Sequence, residues 1–402
     1  MRVEELALQR KRYAHLTDDE WRFMLQQVEG RQRTHDKLPT FATFEDWWYP
    51  VRLSCEQCSS ELTARYKANL IGDGAKRIHD ASPQEMTKLP HASGERVLID
   101  LTGGYGVDTY FMSEHFDQVH YIERNVELCR IAEHNFSMYR PHIQIHNTSA
   151  EEFLSKNKMI VDGGTIFIDP ARRDQNGGKV FRLQDCEPNV VTLLPTLIQA
   201  KQVIIKLSPM LDITAALRSL QIPLDVHVVA VKNEVKEVLL VQSDGSTTIH
   251  ATNLVPTGAT AVQKHQFSFT PNEEKQACCA MYSAANTHLA EAGAYIYEPN
   301  AAIIKAGAYK SIATRYGLCK MAQHTHLYLA DHLIENFPGR VWQIIETNTK
   351  NYKDISAGIM TRNYPLTPEQ LRKKLKIKDN DTYTIIGARL EDKPTLFLCK
   401  KI

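Results

Sequence analysis

No stretch of this 402-residue sequence offers the roughly 18 uninterrupted apolar residues that a membrane-spanning helix needs. Even the apolar run that begins at Val203 is broken by Lys206 and Asp212. The N-terminus, Met1 to Glu5 running into Arg10-Lys11-Arg12, lacks the apolar core of a secretory signal, so the chain reads as cytoplasmic with no membrane partner. Net charge is nearly absent too: 48 Lys and Arg against 47 Asp and Glu leave +1, and no whole-molecule field draws a polyanion. Cys55-Glu56-Gln57-Cys58 has the spacing of half a zinc site, but no second CxxC or HxxxH follows at a usable distance. No metal is expected, and the eight scattered cysteines would stay reduced in such a compartment. A hydrophobic share of 43% and a charged share of 24% belong to a folded chain, which excludes long disorder, collagen-like repeats and a disulfide scaffold.

The length itself calls for about two to four domains. Residues 1–95 read as mostly helical, with Thr17-Asp18-Asp19-Glu20 forming a capping box ahead of Trp21, Phe23, Met24 and Leu25. The segment from Thr40 to Pro50 is rich in aromatics (Phe41, Phe44, Trp47, Trp48, Tyr49); packing against a neighbouring domain is favoured over an exposed platform for bases. From Arg96 to about residue 250 short apolar runs alternate with amphipathic stretches, the pattern of helices around a parallel sheet. Seven strands are expected: Val97–Asp100, Val119–Ile122, Ile143–His146, Thr165–Ile168, Val203–Leu207, Val226–Val231 and Glu237–Val241. The last two are too close for a crossover helix and must pair antiparallel. Residues 251–330 read as a small α+β linker domain containing an Ala-rich stretch around 277–308. Residues 331–402 read as a final α+β domain, with a helix opened by Thr367-Pro368-Glu369-Gln370.

Val97-Leu98-Ile99-Asp100-Leu101-Thr102-Gly103-Gly104-Tyr105-Gly106-Val107-Asp108-Thr109 describes a buried strand, a glycine-rich turn and the start of a helix. In a doubly wound sheet this turn lies at the carboxyl ends of the strands, where Gly104 and Gly106 let backbone approach a ligand. The dinucleotide pattern G-x-G-x-x-G fails at Thr109. Nineteen residues beyond Gly104, at the end of the second strand, Glu123 is placed to accept hydrogen bonds from both ribose hydroxyls of an adenosine. The third strand leads to Ser149 and Ala150, and the fifth carries Lys206 and Ser208 at its ligand end; Ser208-Pro209 could equally just break the strand. The fourth ends Asp169-Pro170-Ala171-Arg172-Arg173-Asp174. Upstream, Gln57-Cys58-Ser59-Ser60 and a helix over Glu61 to Leu70 lead toward the sheet and could close over a cofactor.

Five parallel strands followed by an antiparallel hairpin, with these motifs, resemble the class I S-adenosylmethionine-dependent methyltransferases over about residues 60–245. The resemblance implies an α/β fold with a seven-stranded Rossmann-like sheet, S-adenosylmethionine as cofactor, and a cofactor site drawn from Asp100, Thr102, Gly103, Gly104, Gly106, Asp108, Thr109, Glu123, Arg124, Ser149 and Ala150. Ser149 stands where these enzymes often place an aspartate beside the adenine. Asp169-Pro170 resembles the Asp-Pro-Pro-aromatic motif of enzymes that methylate exocyclic amines of bases, with Ala171-Arg172 in place of Pro-aromatic. A carboxylate and a carbonyl there can hold the N–H groups of an amine and turn its lone pair toward the methyl, which gives Asp169 and Pro170 the catalytic role. Arg172 and Arg173 either meet phosphate or pair with Asp174; together with Lys206 and Ser208 they are the candidate substrate contacts.

Leu101 to Asp108 with Ile122-Glu123-Arg124-Asn125 looks most like bacterial ribosomal RNA guanine methyltransferases, and Thr361-Arg362-Asn363-Tyr364-Pro365 with Gly387-Ala388-Arg389-Leu390 resembles the THUMP-like domain of a bacterial methyltransferase group. The expected activity is therefore methylation of a base, a guanine amine among the candidates, in structured ribosomal or transfer RNA. A protein or small-molecule acceptor, and a non-catalytic RNA-binding protein, are the alternatives. The charge distribution favours RNA: residues 96–263 carry 15 basic and 19 acidic side chains, whereas residues 331–402 carry 13 basic and 9 acidic. The run Arg372 to Lys378 is either an RNA contact or a solvated face, and the oligomeric state is left open.

Overall fold

The computed structural model describes residues 2–72, 95–172, 182–258, 261–348, 355–380 and 382–402. The chain divides into two compact units, residues 1–224 with 238–245 and residues 225–237 with 246–402.

In the first unit the central strands are Val97–Asp100, Gln118–Glu123, Ile143–Asn147, Thr165–Ile168 and Gln202–Leu207, lying in the order third, second, first, fourth, fifth. All neighbours among these five are parallel, and Val238–Val241 then runs antiparallel along Leu207–Ile204. The seven expected strands are all present, although the sheet they belong to has nine strands rather than the seven expected. The spacer between the last two is only Lys232-Asn233, both at positive φ (51° and 66°), the geometry of a tight hairpin turn. Leu98, Ile99, Ile166, Phe167, Ile204 and Ile205 are at most 1% exposed, as strands covered by helices on both faces require. The order reverses direction between the first and fourth strands, where a doubly wound sheet opens a ligand crevice at its carboxyl ends.

The N-terminal stretch is helical as expected. Helix Asp18–Thr34 begins at the Thr17–Glu20 capping box, and Glu61–Gly72 extends the helix expected over Glu61 to Leu70. The aromatic segment packs inward: Phe41, Trp47 and Tyr49 are at most 3% exposed. Phe41 lies 5.0 Å from Tyr110 and 5.8 Å from Phe111, and the Trp47 indole N–H donates to the Tyr105 hydroxyl at 2.7 Å. These partners belong to the glycine-rich turn and the helix after it, so the N-terminal aromatics hold that turn in place.

In the second unit Val226–Val231 pairs parallel with Ile249–Leu254, which pairs antiparallel with Val262–Phe269. A further sheet runs Ala280–Met281, Cys319–Ala322, Thr325–Ala330, Tyr295–Pro299, Gly339–Thr347, Lys393–Lys401, Tyr383–Leu390, Gly358–Arg362. Ile296, Leu327, Trp342, Ile386, Phe397 and Cys399 from this sheet form one buried cluster. Helix Pro368–Leu375 starts at the Thr367–Gln370 capping box and stops where Lys376 takes a left-handed conformation (φ 57°). Among the described residues no helix is long and apolar enough to cross a membrane.

Candidate functional site

The glycine-rich turn is built by three glycines with different duties. A Cβ on Gly103 would lie 2.1 Å from the Tyr121 ring and one on Gly106 2.5 Å from the Phe136 ring, so close packing excludes side chains at both. Gly104 differs. It takes a φ of +56°, and the nearest atom to an added Cβ is 3.7 Å away, so it leaves an open approach to the backbone. Gly106, at φ +81°, begins helix Val107–Met112.

Asp100, 1% exposed, sits behind the turn: its carboxylate accepts from the Thr102 N–H at 3.0 Å and from the Thr109 hydroxyl at 2.5 Å. Burial pushes its carboxyl up to about 7 against the pull of those bonds. Glu123 reaches across from the second strand. One carboxylate oxygen accepts from the Gly104 N–H at 2.9 Å and the other from the Asn125 N–H at 2.8 Å. Each oxygen retains a second acceptor position, so these bonds orient the carboxylate beside the turn without using it up. Arg124 points to Glu187 at 2.6 Å with its side chain 65% exposed. The Ser149 hydroxyl accepts from the Glu152 N–H at 3.1 Å and caps helix Ala150–Lys156, while Ala150 is buried.

At the end of the fourth strand the Asp169 N–H donates to the Thr102 hydroxyl at 2.7 Å, which ties the Asp-Pro motif directly to the glycine turn. The Lys206 ammonium donates to the Asp169 carboxylate at 2.5 Å and lies 3.6 Å from Asp108. Asp108 in turn accepts from the Ser59 hydroxyl at 2.7 Å and lies 3.2 Å from the ammonium of Lys67, whose side chain is fully buried. Burial alone would raise the Asp108 carboxyl. The two ammoniums and the Ser59 hydroxyl outweigh it and hold the group below its ordinary value.

The site is thus a chain of alternating charge, Lys67, Asp108, Lys206, Asp169, running from helix Glu61–Gly72 to the Asp-Pro motif. Side-chain exposure rises along it from 0% at Lys67 to 37% at Asp169. Desolvating four charges is costly unless each is paired, and strict alternation pairs each one. Lys67 is the member that motif reading missed. Its signal was a lysine on the buried stripe of a helix otherwise holding Ala64, Ala68 and Ile71.

The other candidates are less central. The Ser208 hydroxyl accepts from the Met210 N–H at 3.3 Å, a turn contact, and the following helix is capped by Asp212. Pro170 is buried, and Ala171–Arg172 forms a short strand against Cys186–Glu187. Arg173 lies outside the described residues. The Cys55 and Cys58 thiols donate to the carbonyls of Pro50 and Cys55, and burial raises the Cys55 thiol to about 12. No cluster able to hold a metal ion occurs among the described residues.

Comparison with known proteins bears on this arrangement. A protein of Porphyromonas gingivalis W83, solved by crystallography as a candidate methyltransferase, is 30% identical and superposes with a TM-score of 0.79 over 96% of this chain and 92% of its own. The chain belongs to the class I S-adenosylmethionine-dependent methyltransferases that carry a C-terminal THUMP-like domain. Within this chain, residues 295–338 match a family described as a ferredoxin-like domain and residues 339–401 one described as THUMP domain-like. Proteins of two Mycobacterium tuberculosis strains, CDC 1551 / Oshkosh and H37Rv, each named as an uncharacterized S-adenosylmethionine-dependent methyltransferase, are 22% identical over 249 residues. That match covers 58% of this chain and 64% of theirs, short of two thirds of the curated relatives' length.

The residues present fit the family's cofactor. Gly104 offers backbone without obstruction, Glu123 holds a carboxylate with spare acceptor capacity beside it, and both stand at the carboxyl ends of adjacent strands, Gly104 after the strand at which the order reverses.

Proposed function

We propose that this chain transfers a methyl group from S-adenosylmethionine to an exocyclic amine of a base in structured RNA, ribosomal or transfer RNA, with a guanine amine the leading acceptor. The observation that carries the reading is Asp169: a carboxylate fixed by Lys206 and bound through its own N–H to Thr102 of the glycine turn. S-adenosylmethionine, when bound, supplies an electrophilic methyl on a sulfonium. Gly104 and Glu123 would hold it, the glycine by close backbone approach and the glutamate by accepting from the ribose hydroxyls.

In-line displacement needs the acceptor's lone pair aimed at the methyl, and effective orientation is worth several orders of magnitude in rate. The Asp169 carboxylate and the Pro170 carbonyl accept from the acceptor's two N–H groups and so direct that lone pair. Lys206 keeps Asp169 in one orientation, Asp108 keeps Lys206, and Lys67 with Ser59 keeps Asp108. The amine must shed a proton once alkylated, and the Asp169 carboxylate is the nearest base in this assignment.

The RNA part of the reading rests on the THUMP-like segment and on the basic surplus of residues 331–402. Mass spectrometry of nucleosides from ribosomal and transfer RNA of a deletion strain tests it. One methylated nucleoside should disappear and return when the purified protein and labelled S-adenosylmethionine are added. An unchanged nucleoside profile would refute an RNA acceptor.

A further inference from the structure

The second unit contains a cleft of about 660 Å³, within the size range of small-ligand sites and far larger than a single oxyanion requires. Its lining includes Asn233, Asn253, His265, Arg340 and Lys401, with Phe337 on an apolar wall and Glu335 as the acidic side chain.

Two of the lining amides are committed in one direction. The side-chain oxygen of Asn253, a residue 4% exposed, accepts from the Asn233 N–H at 2.8 Å. The side-chain oxygen of Asn233 accepts from the Ala301 N–H at 2.8 Å. Both amides are therefore oriented with their oxygens used, and neither NH₂ group has a partner among the described residues. His265 stands opposite Asn253 on the adjacent strand, and its Nε2 is buried with no partner among the described residues. Arg340 uses Nε and one terminal nitrogen on Glu298, leaving the other terminal nitrogen. Lys401 has no ion-pair partner among the described residues.

We propose that this cleft binds a phosphate-bearing nucleotide, as part of an RNA strand or free. Two oriented amide NH₂ groups, an imidazole, a guanidinium nitrogen and an ammonium are all able to donate, and they match a ligand rich in anionic acceptors. The apolar wall at Phe337 leaves room for the sugar and base beyond the phosphate. In its RNA form the assignment rests on the RNA reading above, giving that acceptor a second hold at a site separate from the glycine turn.

The test uses the full chain with the cofactor site saturated by S-adenosylhomocysteine, and three probes: inorganic phosphate, adenosine monophosphate and a short single-stranded oligouridine. Asn253→Asp keeps an oxygen for the Asn233 N–H but replaces the NH₂ group by negative charge, and Lys401→Glu reverses a surface charge. Each should weaken probe binding by about tenfold or more, and Lys401→Glu, at an exposed position, should do so with an unchanged thermal midpoint. Competition between monophosphate and oligouridine would assign a free nucleotide as a ligand, and oligouridine binding without competition would assign the phosphodiester chain. If monophosphate binds in a variant-sensitive way and oligouridine does not, the RNA form of the assignment falls and the free-nucleotide form stands, whereas an unchanged nucleoside profile in the deletion strain is what refutes the RNA acceptor. Unchanged affinity in both variants, or no binding of any probe by the wild-type chain, would overturn the assignment.

Discussion

Two groups of paired charge, one in each unit and each with a buried member, set cations against carboxylates toward different ends. In the first unit Lys67, Asp108, Lys206 and Asp169 alternate along a line that ends in a partly exposed carboxylate at the mouth of the sheet. In the second unit a single carboxylate, Glu298, 9% exposed at its side chain, is gripped by Arg340 and by Arg362 at 2.6 Å from neighbouring regions of one sheet. The trio closes on itself, with its carboxylate consumed by two guanidiniums, and its physical effect is to staple strands together. The line is open at one end and delivers an oriented acceptor group to a place where a substrate can reach it. Burial of charge marks both, and only the open end marks chemistry.

Substitutions can break this contrast at graded cost. Gly104→Val should have the largest effect: a branched side chain at φ +56° is strained and fills the open approach, so calorimetric binding of S-adenosylmethionine should vanish. Retained affinity would remove the turn from the cofactor site. Lys67→Met strips one end of the line and leaves Asp108 undercompensated. Denaturant unfolding should show a loss of about 3–5 kcal/mol, with methyl transfer falling as well. Arg362→Ala, by contrast, leaves Glu298 its other arginine and removes a side chain that is 43% exposed, so the loss should be about 1 kcal/mol with transfer of the methyl group unchanged. Equal costs for the two variants would erase the distinction.

The smallest effect concerns pH. Asp100 holds its proton in the folded chain up to about 7, whereas the unfolded chain loses it near its ordinary value of 3.8. Between those limits the folded state binds more protons, so this group's contribution to stability falls as pH rises from about 4 to about 7 and levels off above. Asp100→Asn should flatten that slope in a series of unfolding curves. A variant with the wild-type slope would contradict the assignment of the proton to Asp100.

Much of the first unit was legible in the sequence because its signals are local. Thr165–Ile168 occupies the expected range, the Thr17–Glu20 capping box forms, and the glycine turn follows the first strand. Lys67 was not legible because its partner, Asp108, lies forty-one residues away and no motif joins a helix to a distant turn. Gly103 was read as a ligand contact, and the Tyr121 ring supplies a packing reason for it that sequence spacing cannot reveal. In the second unit the Ala-rich stretch concealed strand Tyr295–Pro299, whose five residues carry too little periodicity to stand out beside short helices. The basic run Arg372 to Lys378 breaks at Lys376, and Arg372 there pairs with Asp379 at 2.9 Å.

Asp169 is the residue on which acceptor orientation depends most directly. The decisive measurement pairs calorimetric binding of S-adenosylmethionine with transfer of labelled methyl to RNA from a deletion strain, for the wild-type chain and Asp169→Ala. The variant should bind the cofactor with wild-type affinity and lose transfer by about 100-fold or more. Wild-type turnover by the variant would show that Asp169 does not orient the acceptor, and the open end of the charged line would have no catalytic meaning.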